Sequence, residues 1–185
     1  MIQDIWPKHL DNQYKNLKSG NEDTVFYFQG SSLLARPSGH FNSQNPEENV
    51  LIYPQYDEFV QGIKSSYGDK AVDNFEFIYL LSIDEEHFFL ARKTGSLERG
   101  TFLGEMADSA VHKDMYSFVR GYEFIGVDSF RKAQPREHAY AAITAFHLYG
   151  WYRDNHFCGR CGKPLKHDDK QRMLRCDCCK NMVFP

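Results

Sequence analysis

Cysteine is the residue type in this sequence whose placement most plainly prescribes chemistry. All five cysteines lie in the last 28 residues: Cys158, Cys161, Cys176, Cys178 and Cys179. Cys158-Gly159-Arg160-Cys161 and Cys176-Asp177-Cys178-Cys179 form two C-x-x-C pairs separated by 14 residues. A C-x-x-C turn aims two sulfurs at one ion while its amides hydrogen-bond the thiolates, and two such turns complete the tetrahedron that Zn²⁺ prefers. Crowding of this kind is not the framework of a disulfide-stapled domain, whose cysteines join distant segments. It predicts a four-cysteine zinc ribbon.

Five cysteines compete for four positions. Cys158, Cys161, Cys176 and Cys179 are the expected ligands, because Cys178 would give a C-x-C or C-C pair with poorer turn geometry; a register using Cys178 is the remaining alternative. Four protein thiolates leave no open position for water, so the ion is structural and supplies folding energy to a segment with little core of its own. His156 and His167 flank or lie within the ribbon and are read as solvated loop histidines.

The elements that carry this site precede it. Val25–Phe28 and Leu33-Leu34 around Gly30-Ser31-Ser32 predict a hairpin, followed by a polar loop from Pro37 to Asn49 and a short strand over Val50–Tyr53. Phe59, Ile63 and Tyr67 recur as on one helix face, with Gly68 as the stop. Phe75–Leu81 and Phe88–Ala91 flank Asp84-Glu85-Glu86-His87, read as a hairpin with a solvated charged turn rather than a metal cluster. Residues 1–20 read as a short helix or irregular arm. A short helix near Met115–Val119 and a strand around Phe124 are expected in the glycine-interrupted stretch that follows. Pro135 opens the clearest helix, about 136–153, with an apolar stripe of Ala139, Ala142, Ile143, Phe146, Tyr149 and Gly150. The fold class expected is α+β (mixed α/β), with a front domain over 1–154 and a ribbon over 155–185.

The 185 residues are 42% hydrophobic, enough for a real core, and the opening lacks the basic and apolar regions of a signal peptide. No apolar run reaches the roughly 20 residues that span a bilayer. A cytoplasmic protein is the expectation. The net charge of −3 hides a division: residues 153–185 carry eight Lys/Arg against four Asp/Glu, whereas residues 1–152 carry 14 against 21. Four thiolates and Zn²⁺ together contribute −2 to the basic tail. The acidic body argues against a nucleic-acid groove, and core packing accounts for most of the 28 aromatic residues.

Trp151-Tyr152-Arg153-Asp154-Asn155-His156-Phe157-Cys158-Gly159-Arg160-Cys161-Gly162, followed by Cys176-x-x-Cys179 and Val183-Phe184-Pro185, closely resembles the middle of the NADH pyrophosphatases of the Nudix superfamily. The resemblance is specific over residues 131–185. It implies a Nudix-like N-terminal domain, an alanine-rich helix, the ribbon and then a catalytic Nudix domain. It further implies a homodimer, and NAD(H) cleaved to nicotinamide mononucleotide and AMP, with NAD caps of RNA as a further substrate of some members. Arg131, in Ser129-Phe130-Arg131, resembles an arginine that the family turns towards substrate.

The family's chemistry needs a Nudix box, whose glutamates hold Mg²⁺ or Mn²⁺ against the pyrophosphate. Adjacent glutamates occur here only at Glu47-Glu48 and Glu85-Glu86, without the required Arg-Glu four residues earlier; after Arg136-Glu137 stand Tyr140-Ala141 where glutamates are needed. The box is absent. The expectation is therefore two of the three parts of such an enzyme, structural and dimerising, and inactive alone. A stand-alone zinc-ribbon adaptor for protein or nucleic acid is the alternative.

Overall fold

The computed structural model describes residues 5–38, 50–93 and 118–185, excepting the side chains of residues 131 and 132. Most of the expected helix near Met115–Val119, and most of the Pro37–Asn49 loop, lie outside the described residues. So does the Arg131 side chain.

The architecture is α+β. Strands β1 (Leu10–Asp11), β2 (Thr24–Gln29), β3 (Ser32–Ser38) and β4 (Val50–Ile52) precede helix α1 (Tyr56–Tyr67), and β5 (Phe75–Ile83), β6 (Glu86–Lys93) and β7 (Glu123–Gly126) precede helix α2 (Arg136–Asp154). These strands form one mixed sheet in the order β1-β5-β6-β2-β3-β4, with β7 also on β3. The β2 to β6 pairing is parallel, Thr24 to Tyr27 facing Phe88 to Ala91, while the other pairings are antiparallel. A second, three-stranded sheet of β8 (Leu165–His167), β9 (Leu174–Cys176) and β10 (Met182–Val183) forms the ribbon.

Both faces of the large sheet are covered, which explains why its strands read as nearly continuous apolar runs. Val25, Tyr27, Leu34, Tyr79 and Phe89 turn to the α1 face, where they meet Phe59 and Ile63. Phe26, Phe28, Leu33, Ile78, Leu80, Phe88 and Leu90 turn to the α2 face. Strict alternation would send Leu81 and Ile83 to the α1 side. A register shift between Tyr79 and Leu81 returns both to the α2 core, as an inserted residue in one strand does.

Helix α1 starts where the Gln55 amide donates to Glu58 Oε2 at 3.1 Å, an oxygen that also accepts from the Tyr122 hydroxyl at 2.8 Å. It ends at Gly68, whose φ of +86° and N–H bond to the Lys64 carbonyl suit glycine. Phe59 and Ile63 are buried, but Tyr67 is 64% exposed, because the stripe runs out one turn before the helix does.

The buried face of α2 is Ala139, Ala141, Ala142, Ala145, Leu148 and Tyr152. It is rotated from the expected stripe, and Ile143, Phe146, Tyr149 and Gly150 are only half-buried. Small alanines let the helix axis approach the sheet, while the larger residues wrap its shoulder. Phe146 and Tyr149 contact Phe28 at ring separations of 5.5 and 5.2 Å.

The arm before β2 is irregular except for β1, which pairs with the end of β5. The charged turn is tighter and better connected than expected. Asp84 and Glu85 alone make it, with Asp84 at φ +52°. Asp84 accepts from the His9 amide at 2.9 Å and pairs with Lys8 at 3.0 Å; Glu86 and His87, already on β6, meet His138 at 2.6 Å and Asp23 at 3.4 Å. Asp84, Glu85 and Glu86 are exposed, as expected of a solvated turn, and the run also ties the arm and α2 to the sheet. The reason is that alternate strand residues reach different neighbours.

Candidate metal centre

The first turn of the ribbon follows α2 directly, since the Asn155 amide returns to the Trp151 carbonyl at 3.1 Å to close the helix. Two backbone turns then repeat one pattern. Cys158 N donates to Lys163 O and Gly162 N to Cys158 O, both at 2.8 Å; Cys176 N donates to Asn181 O and Lys180 N to Cys176 O, both at 2.9 Å. The residue after the second cysteine of each turn has positive φ, +68° at Gly162 and +58° at Lys180. Only the first turn has glycine at that strained place.

The four Sγ atoms of Cys158, Cys161, Cys176 and Cys179 lie within 4.8 Å of one another. Cys158 and Cys179 approach to 3.5 Å, and Cys161 and Cys176 to 3.4 Å. A tetrahedron with Zn–S bonds of about 2.3 Å has edges of about 3.8 Å, so the cluster brackets the required size. Cys178, fully on the outside of its turn, is exposed and stands apart from the cluster.

The turns also supply the charge. Burial pushes the Cys158 thiol up, yet the amides of Arg160 and Cys161 outweigh it and, with the neighbouring sulfurs, draw it down to about 6. The Cys179 amide leads the causes that lower Cys176. At Cys161 and Cys179 the amides of Lys163 and Asn181 pull downward, but burial and neighbouring sulfurs together outweigh them and raise both thiols. Four sulfurs this close repel one another as thiolates; a dication between them removes the conflict. The residues present fit structural zinc, and it is the cofactor of this ribbon.

The ribbon is fastened to the front sheet rather than hanging from α2. Leu174 is 2% exposed and belongs to the same core as Phe26 and Leu90. Leu165 and Val183 pack against that core, and Arg172 Nη2 donates to the Leu80 carbonyl on β5. His167 departs from the solvated loop residue expected. It closes β8, half-buried between Tyr14 and Tyr152 at ring separations of 5.5 and 5.7 Å, and burial draws its imidazole below the ordinary value. His156, by contrast, lies outside the cysteine cluster as read. Spacing could not reveal the His167 contacts, because Tyr14 and Tyr152 come from the other ends of the front domain.

No helix among the described residues is long and apolar enough to cross a membrane. Residues 153–184 match the family model of the NADH pyrophosphatase zinc ribbon domain. No curated protein matches the chain.

Proposed function

With its ribbon of the NADH pyrophosphatase kind, we propose that the chain is the N-terminal and zinc-ribbon portion of an NADH pyrophosphatase-like Nudix hydrolase. The observation that carries this reading is the four-cysteine ribbon over residues 153–184, seated on an α+β front domain by α2, Leu174 and Arg172. A mixed sheet covered by helices on both faces supports the Nudix-like character of residues 1–154, with the ribbon from 155 to 185. In the parent reaction the pyrophosphate of NAD(H) is hydrolysed, and NAD-capped RNA is a further substrate class.

The portion in hand is structural and dimerising. Among the described residues, no group of carboxylates is gathered as the metal-holding glutamates of a Nudix box are. Glu85 sits in a turn, Glu86 on β6 engages His138, and Glu137 occupies the first turn of α2. Mg²⁺ or Mn²⁺ belongs to a catalytic domain bearing the Nudix box, which this sequence does not contain. The ribbon's role is that of a rigid strut, and Arg131, on the short helical segment before α2, is the residue that would contact substrate.

The test is incubation of the purified, zinc-loaded chain with NADH and Mg²⁺ or Mn²⁺. No AMP should form above contaminant controls, and sedimentation should report a dimer. Metal-dependent AMP release would overturn the inactive reading, and a monomer at all concentrations would overturn the dimerising one.

A further inference from the structure

Strand β1 pairs with β5 at Leu10–Ile83 and Asp11–Ser82, and the Asp84 amide donates to the His9 carbonyl at 2.8 Å. In an antiparallel ladder, hydrogen-bonded pairs recur at every second residue. A bonded pair at His9–Asp84 is therefore followed by Asp11–Ser82 and then by Gln13 opposite Leu80, where the Gln13 amide would donate to the Leu80 carbonyl.

That third rung is not made, although both of its groups are at hand. The Gln13 amide donates instead to Asp11 Oδ1 at 3.0 Å, and the Leu80 carbonyl accepts from Arg172 Nη2. Asp11 also pairs with Lys15 at 2.7 Å, so one carboxylate gathers residues 11–15 into a turn that leaves the sheet. Residues 12–20 form neither strand nor helix.

A cleft of about 520 Å³ opens where the arm parts from β5. Tyr14, Asn16 and Leu17 line one side, Glu76–Tyr79 of β5 another, and Leu165–His167 of the ribbon a third. Successive side chains of a strand point to opposite faces, so a cavity reached by four consecutive residues lies along the strand's edge. Among the described residues, no strand pairs with that stretch of the edge. Such an edge is a template for any extended segment that reaches it, and β1 tethers the arm beside it.

Arg172 stands between the two. It reaches in from the connection between β8 and β9, with its guanidinium 5.9 Å from the Tyr14 ring, while Tyr14 rests 5.5 Å from the His167 ring. One ribbon side chain thus takes the acceptor on β5 and faces the arm residue next to the displaced donor.

We propose that residues 12–17 are a strap with two positions. In one, the position of this structure, Arg172 holds the strap off β5; in the other, Arg172 withdraws and the strap pairs along β5 as an extension of β1. Pairing exchanges the Gln13–Asp11 and Arg172–Leu80 bonds for a Gln13–Leu80 rung and fills the cleft. Because Arg172 belongs to the ribbon, the seating of the ribbon on the sheet selects the strap's position.

Amide hydrogen exchange and cross-strand nuclear Overhauser contacts, measured on the zinc-loaded full chain, test this. In the wild type, the amides of residues 14–17 should exchange at nearly unprotected rates. Arg172→Ala should slow alternate amides within residues 13–17 at least tenfold and bring new backbone contacts between Gln13 and Leu80. Gln13→Pro has no amide to donate and should cancel that gain when combined with Arg172→Ala. Arg172→Lys keeps a donor for the Leu80 carbonyl and should leave the arm as in the wild type. Zinc content reports whether each variant keeps its ribbon; Arg172→Met, which keeps a long stem without the donor, decides the matter if Arg172→Ala loses the metal. Arm amides already protected in the wild type would overturn the proposal. So would arm exchange that is no slower in a zinc-retaining Arg172→Ala or Arg172→Met, which would reduce Arg172 to an anchor of the ribbon.

Discussion

Leu174→Ala probes whether the ribbon and the front domain share one core. Leu174 is 2% exposed and lies within two residues of the zinc ligand Cys176, yet its packing partners include the main sheet core. Truncating a buried leucine costs about 2.7–5 kcal/mol when the surroundings cannot collapse. Collapse is hindered here, since one wall is a hydrogen-bonded sheet and the other is held by the metal turns. A loss of about 3 kcal/mol is a large part of the roughly 5–15 kcal/mol that stabilises a domain. With a urea slope of about 2 kcal/mol/M, the midpoint should fall by about 1.5 M. Two probes are followed together: far-ultraviolet circular dichroism for the front sheet and helices, and dye-detected zinc release for the ribbon. Both transitions should move together. A shift below about 0.3 M, or zinc release at lower urea with the dichroism transition unmoved, would refute the shared core and make the ribbon an independently melting bead.

Four other outcomes follow from the geometry. Cys176→Ser should lose stoichiometric zinc by elemental analysis, whereas Cys178→Ser should keep it, because Cys178 is exposed and outside the cluster. Gly62→Ala should destabilise the protein by about 1–3 kcal/mol in chemical denaturation, although alanine is ordinarily the better helix former by about 1 kcal/mol. A Cβ there would stand 2.7 Å from the Phe118 carbonyl oxygen and 3.0 Å from Val119; a stabilised variant would refute the clash. Lys180→Gly should raise the melting temperature by relieving a positive φ worth about 1 kcal/mol, and Gly162→Ala at the equivalent place should lower it. Tyr152→Phe removes a buried hydroxyl without a partner and should leave stability unchanged or slightly raised. Clear destabilisation of that variant would show that the hydroxyl is satisfied.

The site was more legible than the body that holds it. Two C-x-x-C turns are local objects, each closed by hydrogen bonds within six residues, so spacing favours Cys158, Cys161, Cys176 and Cys179, and the cluster then leaves Cys178 out. The hairpins at Gly30-Ser31 and Asp84-Glu85 and the long helix after Pro135 are local in the same sense. The face of that helix was not. Several of its residues are alanines, whose weak apolar signal lets Ile143, Phe146 and Tyr149 dominate any pattern, although a sheet can only be approached closely along the small residues.

By itself, then, the sequence determined a four-thiolate ribbon at the end of an apolar, acidic α+β body, and it lacked the glutamate pattern of a Nudix box. Only the tertiary structure decided that the ribbon shares the front domain's core, that His167 is wedged between Tyr14 and Tyr152, and that Arg172 reaches the Leu80 carbonyl on β5. Apart from the His167–Tyr152 pair, these contacts join residues more than 70 positions apart. Their existence depends on how the sheet presents the β5 edge to the ribbon, a property of the assembled strands that no local spacing encodes.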